Sequence, residues 1–200
     1  LNTDFIGRNL EYYSRLASTN DEAWELIAEN VPNGSLIITD NQFKGRGRFE
    51  NEWISAPSMG LTFSLILYDL KNLHKLPLII GVAVCEALKE FNFKLKLKWP
   101  NDIILNDKKI GGILCESKNI NNVKTVVIGF GMNINEKADD FPENLRKRAI
   151  SLSMVSNKTF QRERVLAKIL NHFEKNLDLL ERKNLELFKK WESFCNHLNK

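Results

Sequence analysis

The chain has 200 residues, 43% of them hydrophobic and 27% charged, with a net charge of +4. This is ordinary composition for a folded domain, and it excludes a disordered or fibrous chain. The longest apolar run, Leu76 to Cys85, is about half the length a bilayer-spanning helix needs and is interrupted by Pro77 and Gly81.

In chain order, Ser18–Asn30 reads as a helix. Thr19 followed three residues later by Glu22 is a capping-box pattern, Ala23, Leu26 and Ile27 give an apolar face, and Pro32-Asn33-Gly34 stops it. Ser35–Thr39 is a short buried strand, and the polar stretch from Asp40 to about Gly60 is one long loop, a length that is usually functional. Leu61–Tyr68 is the next strand and Leu76–Phe91 a buried helix. Phe93–Trp99 alternates strictly, which places Phe93, Leu95, Leu97 and Trp99 on one strand face and Lys94, Lys96 and Lys98 on the other. Ile103–Asn106 and Ile110–Ser117 flank the turn residues Asp107-Lys108 as a hairpin, and Val123–Ile134 adds a strand. Val165, Leu166, Ile169, Leu170, Phe173, Leu177 and Leu180 keep helical spacing, and a second helix covers about Leu185 to Leu198. This order predicts an α+β fold with a mixed, mostly antiparallel sheet flanked by helices, not a regular βαβ alternation.

The cysteines Cys85, Cys115 and Cys195 are odd in number and widely spaced, which reads as reduced thiols in a reducing compartment. His74, His172 and His197 show no metal-ligand spacing with one another or with cysteine, so no transition-metal site is expected. Lysine is spread along the whole chain, so the mild positive charge permits nucleic-acid binding without arguing for it.

Four motifs carry chemistry. Lys44-Gly45-Arg46-Gly47-Arg48 alternates glycine with arginine; glycine lets a backbone approach a ligand closely, and arginine offers a fixed fork of donors to carboxylate or phosphate. Gly129-Phe130-Gly131-Met132-Asn133-Ile134 follows a strand but fails as a dinucleotide fingerprint, because Ile134 holds the third glycine position. Its glycines leave room either for another backbone or for a planar ligand. Lys98-Trp99-Pro100-Asn101-Asp102 and Lys109-Ile110-Gly111-Gly112 taken singly read as a basic strand with a turn and as a hairpin with an exposed lysine.

Together the motifs are far more specific. Ser18-Thr19-Asn20, Gln42 with Gly45–Arg48 and Trp53, Lys98–Asp102, Lys109–Leu114 and Gly129–Asn135, in that order, resemble the biotin–protein ligase family from about Leu16 to Trp191. Ala149–Leu152 also resembles a family element near the adenosine. The resemblance implies a fold like that of biotin ligases and class II aminoacyl-tRNA synthetases. It implies that residues 1–200 form the catalytic domain of a cytoplasmic enzyme, that MgATP and biotin are its substrates, and that a biotin carboxyl carrier protein is its partner.

By the same resemblance Ser18, Thr19, Asn20, Gln42, Gly45, Arg46, Gly47, Arg48, Lys109 and Gly112 bind biotin. Arg46, Arg48, Trp53, Asn101, Lys109 and Asn133 bind ATP or the adenylate. Lys109, Arg48 and Asp102 are catalytic, with Asp102 near the acceptor lysine. Mg2+ comes with ATP and is not fixed by protein side chains alone. The family's Gly-Arg-rich loop continues with a glycine and a cation where this chain has Glu50 and Asn51, so the downstream half, Phe49 to Glu52, is less basic and less flexible. Leu1–Gly7 resembles a linker to an N-terminal helix-turn-helix domain, and the C-terminal helix resembles one leading into a small β-barrel. DNA contact would then belong to the N-terminal domain, and homodimerisation is left open.

Two rival readings remain: a lipoate–protein ligase or octanoyltransferase of the same fold, and a nucleic-acid-binding module using the Lys94, Lys96 and Lys98 face.

Overall fold

In the computed structural model, which describes residues 1–182 and 184–195 and, at 50, 178–182 and 184, the backbone alone, a seven-stranded sheet organises the chain. The elements are β1 (Leu10–Tyr13), α1 (Thr19–Ile27), β2 (Leu36–Thr39), β3 (Gly45–Arg46), β4 (Glu52–Trp53), β5 (Leu61–Tyr68), α2 (Leu76–Lys89), β6 (Lys96–Lys98), β7 (Asp102–Leu105), β8 (Lys108–Ile120), β9 (Val123–Met132), α3 (Glu143–Arg146), α4 (Leu152–Ser156), α5 (Arg162–Arg182) and α6 (Asn184–Phe194). Across the sheet the order is β1-β2-β5-β9-β8-β7-β6, with β3 and β4 forming a separate small hairpin. β1 lies parallel to β2, and the other neighbouring pairs are antiparallel. The mixed, mostly antiparallel sheet of the sequence reading is therefore the observed one.

Helices cover both faces of the sheet. Side chains alternate along a strand, so Ile37, Ile66 and Val127 meet Ala23 and Ile27 of α1. Leu36, Leu65 and Ile128 belong to the larger core with Ile79, Ile80, Val165 and Phe173 from α2 and α5. A strand covered on both faces has no solvated side to mark with polar residues. This is why β5 reads as a nearly continuous apolar run and is buried from Leu61 to Leu67.

α1 is only nine residues long, about 13 Å, and leaves part of its face of the sheet uncovered. Under its first turn that face carries Ser64 of β5, paired with Gly129 of β9, and beyond it Thr62, paired with Gly131, and Gly112 of β8, also paired with Gly131. Small side chains in adjacent strands make a hollow in the sheet surface, and this hollow positions the site.

Several local expectations are corrected. The cap of α1 is Ser18, whose side chain accepts from the Asp21 amide; Thr19 is released for a different partner. The stretch from Asp40 to Gly60 is not one open loop, since it contains the β3–β4 hairpin. Trp99 does not continue the buried face of Phe93, Leu95 and Leu97, because the strand ends at Lys98, and Trp99 is 60% exposed against Trp191. The β7–β8 turn is centred on Asn106-Asp107, both with positive φ, not on Asp107-Lys108, as a two-residue hairpin with right-handed strand twist requires. β1 was not anticipated. The predicted end of the second C-terminal helix at Leu198, and His197, lie outside the described residues, as does the side chain of Leu180.

Candidate functional site

A cavity of about 240 Å3 occupies the hollow. Its floor is Thr62, Gly112, Gly129 and Gly131, and its walls come from the α1 N-terminus, the β3–β4 hairpin and the strand ends at Asn101, Asp102 and Lys109. Twelve predicted residues line it: Ser18, Thr19, Asn20, Gln42, Arg46, Gly47, Arg48, Trp53, Asn101, Asp102, Lys109 and Gly112.

One wall is a buried polar network. The segment from Asn41 to Lys44 runs beside Leu16 and Ala17 through three backbone hydrogen bonds, Leu16 N to Asn41 O, Phe43 N to Leu16 O and Lys44 N to Ala17 O. This brings Gln42 Oε1 to 2.8 Å from the Thr19 amide and 3.2 Å from its hydroxyl. Ser64 Oγ lies 2.7 Å from Thr19 Oγ1 and 2.6 Å from Asn20 Oδ1. The Asn20 amide nitrogen donates to Glu116 Oε2 at 2.8 Å, and the Trp24 indole donates to the same oxygen at 3.1 Å. Shared acceptors of this kind hold each side chain in one orientation.

The two glycines of β9 are explained by what lies over them. A Cβ at Gly129 would collide with the Asn20 amide, and one at Gly131 with the Trp53 indole. Phe130 between them points into the opposite core and stacks on Phe63 at 4.9 Å. The room left by these glycines is taken by two site side chains, not by another backbone.

The opposite wall is cationic. Asp102 pairs with Gly112 and Ile103 with Gly111, but Ile104 pairs with Lys109, so one residue, Ile110, is extra. Such a bulge re-aims the side chains beyond it. Ile110 goes fully into the core, and Lys109 turns to the same face as Asp102 and Gly112. Lys109 Nζ then lies 2.6 Å from Asp102 Oδ1 and 6.0 Å from the centre of the Trp53 ring. Ala149 bridges to Lys109 on its other side, with Lys109 N donating to Arg148 O and Ile150 N to Lys109 O.

The hairpin forms the cover. Arg46 pairs with Asp21 and lies 3.6 Å from Glu116. The Arg48 guanidinium lies 4.9 Å from the centre of the Phe49 ring. At the tip, Gly47 N donates to Asn51 O at 2.6 Å, and the Asn51 side-chain amide donates to Arg48 O at 2.8 Å. Asn51 thus closes the turn through its backbone and its side chain. Phe49 sits in the left-handed region with φ 53° and is 84% exposed. The Trp53 indole nitrogen is buried without a hydrogen-bond partner.

Three predicted residues act differently from the rest. Gly45 does not line the cavity; it packs against Gln42 Nε2 and the Trp53 backbone, where a Cβ has no room. Asn101 lines the cavity, but its amide nitrogen is held by Ile113 O at 2.9 Å. Asn133 is buried outside the cavity lining and donates to Ile150 O at 3.0 Å, tying the segment beside Lys109 to the end of β9. Glu116, Ser64 and Trp24 were not anticipated. The available signal was the i, i+4 spacing of Asn20 and Trp24, which puts both over one strand residue. Among the described residues, no group of three or more His, Cys, Asp or Glu is placed to hold a metal ion, and no helix is long and apolar enough to cross a membrane.

Chemically, three cationic residues, Arg46, Arg48 and Lys109, line one small cavity together with a buried amide–hydroxyl network. Exposed ion pairs are worth only about 0–1 kcal/mol, so Arg46 and Lys109 can exchange their carboxylates for an incoming anion at little cost.

Residues 12–133 match the model of the biotin/lipoate A/B protein ligase family. The bifunctional ligase/repressor BirA of Bacillus subtilis is 37% identical over 98% of this chain and 62% of its own length. Biotin–protein ligase 1 of Arabidopsis thaliana is 33% identical over 88% of this chain and 49% of its own. The chain therefore spans less than two thirds of these curated relatives. The structure of the Aquifex aeolicus biotin protein ligase in complex with biotin and ATP superposes with a TM-score of 0.84 at 34% identity, covering 96% of this chain and 81% of that one.

Proposed function

The chain belongs to the biotin/lipoate A/B protein ligase family, and on that premise we propose that it activates biotin with ATP to biotinyl-5′-AMP and passes the biotinyl group to one lysine of a biotin carboxyl carrier protein. The observation that carries this reading is that Lys109, Arg46 and Arg48 line one cavity whose inner wall is the Thr19–Gln42–Asn20 network. The network offers fixed donors and acceptors to a small polar ring. The cations answer the charge of the reacting groups.

In the first step a carboxylate oxygen of biotin attacks the α-phosphorus of ATP, and the bond to pyrophosphate breaks. Two anions must meet, so catalysis is mainly positioning and charge stabilisation. Lys109, Arg46 and Arg48 supply positive charge, and Mg2+ enters with the ATP phosphates. In the second step the uncharged acceptor amine attacks the acyl carbon, the bond from that carbon to the phosphate oxygen breaks, AMP leaves, and the amine gives up one proton to solvent. In this reading Asp102, whose carboxylate is paired with Lys109, orients that amine. The hairpin with Trp53 excludes water from the mixed anhydride.

The test is biotin-dependent exchange of labelled pyrophosphate into ATP, followed by mass spectrometry of a carrier domain. Exchange with biotin and none with lipoate is the expected result. Exchange with lipoate alone moves the chain to the other branch of the family, and exchange with neither overturns the reading.

A further inference from the structure

The excursion carrying Gln42, Arg46, Arg48 and Trp53 leaves the sheet at Asp40 and returns at Gly60, and one residue from the far end of the chain grips both points. Arg162, the first residue of α5, donates from one terminal nitrogen to Asp40 Oδ1 at 2.8 Å and from the other to Gly60 O at 3.1 Å. Its side chain is 19% exposed and that of Asp40 26%. The second carboxylate oxygen of Asp40 accepts from Tyr12 at 2.7 Å, and the Asp40 carbonyl accepts from the Ser58 amide at 2.8 Å. Next to Gly60, the Met59 carbonyl accepts from the Asn135 amide at 3.0 Å, which ties the returning stem to the exit of β9, the strand that forms the cavity floor.

We propose that Arg162 is a positioning residue for the proposed reaction: it clamps the two stems of the cover at a fixed separation, and through them sets Arg48 and Trp53 over the cavity. It touches neither substrate. Arginine suits this task because a planar fork can serve two acceptors at once, where an ammonium offers only a point charge. Burial pushes the Asp40 carboxyl up, but hydrogen bonds from Tyr12 and Arg162 outweigh it and hold it below its ordinary value, so the pair is ionised. The inference rests on the adenylating function proposed above, and it adds a requirement: the cover must be anchored at its base as well as closed at its tip.

The experiment compares Arg162→Met, Arg162→Lys and Asp40→Asn with the wild type. The rate of biotin-dependent pyrophosphate exchange, the rate at which preloaded adenylate escapes, and the melting temperature are measured on each. Arg162→Met is expected to release adenylate about tenfold faster, the effect of losing one charge-assisted contact. Exchange falls much less, because Lys109 is untouched. Arg162→Lys restores part of the retention, since it keeps the pairing with Asp40. Asp40→Asn behaves as Arg162→Met does, and the double variant adds little to either. Equal retention in folded wild type and variants overturns the proposal, as does loss of retention and exchange in strict proportion to the unfolded fraction. If the wild type makes no adenylate, the functional reading fails instead. The clamp is then decided by exchange of the Ser58 and Asn135 amides, which donate to Asp40 O and Met59 O at the two stems and must quicken in Arg162→Met and Asp40→Asn; unchanged exchange refutes it.

Discussion

Lys109 Nζ and Asp102 Oδ1 are held 2.6 Å apart by two strands whose register slips by one residue between them. The slip decides which face of the sheet receives the cation. Replacing Lys109 by Ala is expected to lower biotin-dependent pyrophosphate exchange by about 100- to 1000-fold, the usual cost of removing a group that stabilises developing charge. Folding survives, since the lysine side chain is 41% exposed and its ion pair contributes about 1 kcal/mol at most. Exchange near the wild-type rate would remove Lys109 from the mechanism.

That slip also marks where the sequence stops being readable. The strand from Leu61 is legible because burial on two faces leaves a continuous apolar run. The motif order brought Thr19, Gln42 and Lys109 to one cavity. Alternation alone, however, places Lys109 and Gly112 on opposite faces, and only the bulge at Ile110 reunites them. β1 was missed because Leu10–Tyr13 is a half-exposed edge strand with no buried face to impose a pattern. Ser18 and Thr19 are both good cap residues, and it is Gln42, distant in sequence, that claims Thr19.

Glu136 gives the molecule a pH dependence of stability. It is 1% exposed, one carboxylate oxygen has no partner, and burial pushes its pKa up from 4.5 to about 7. Below pH 4.5 the group is protonated in both states and costs nothing. As pH rises from there through 7, the unfolded chain gives up its proton before the folded one, so stability falls across that window and levels off above it. Glu136→Gln removes the charge while keeping an acceptor for the Ile134 amide. The variant should be more stable than wild type at pH 8.5 by on the order of 2–4 kcal/mol, with the difference shrinking at pH 5. Urea midpoints at the two values measure this. Parallel pH slopes in both proteins would contradict it.

Gly129 is tested by adding one methyl group. In Gly129→Ala the new Cβ meets the Asn20 side chain, which is already fixed by Ser64 and Glu116. Overpacking a fixed site costs about 1–3 kcal/mol, and here it is relieved by pushing Asn20 out of the orientation an incoming ligand meets. Calorimetric titration with biotin should therefore show affinity reduced by roughly ten- to a hundredfold. Unchanged affinity would mean that the Asn20 orientation does not matter to the ligand.

Order in the cover should be divided. The Phe43 and Lys44 amides donate to Leu16 and Ala17, so they are protected from hydrogen exchange whether or not ligand is present. The amides from Arg46 to Trp53 belong to a two-residue hairpin pair and an exposed tip. They exchange quickly alone and slowly with biotinyl-AMP, as a segment ordered by its ligand does. Equal protection at the tip in both states would rule out closure.

Arg48 should matter more for keeping the adenylate than for making it. Arg48 lines the cavity, and the turn around it is closed through its carbonyl, which accepts from the Asn51 amides. Arg48→Gly therefore removes a charge and leaves the hydrogen bonds of the tip in place. One lost charge-assisted contact is worth about 1.5–3 kcal/mol, which corresponds to release roughly ten- to a hundredfold faster. Formation falls less, because Lys109 still faces the reacting groups. The escaping anhydride would acylate bystander lysines, including those of this chain. A chase of preloaded enzyme, following free adenylate and biotin on an unrelated protein, measures both. If Arg48→Gly holds its adenylate as long as wild type, retention rests on the closed Gly47–Asn51 turn and Trp53, and the arginine has no part in the lid.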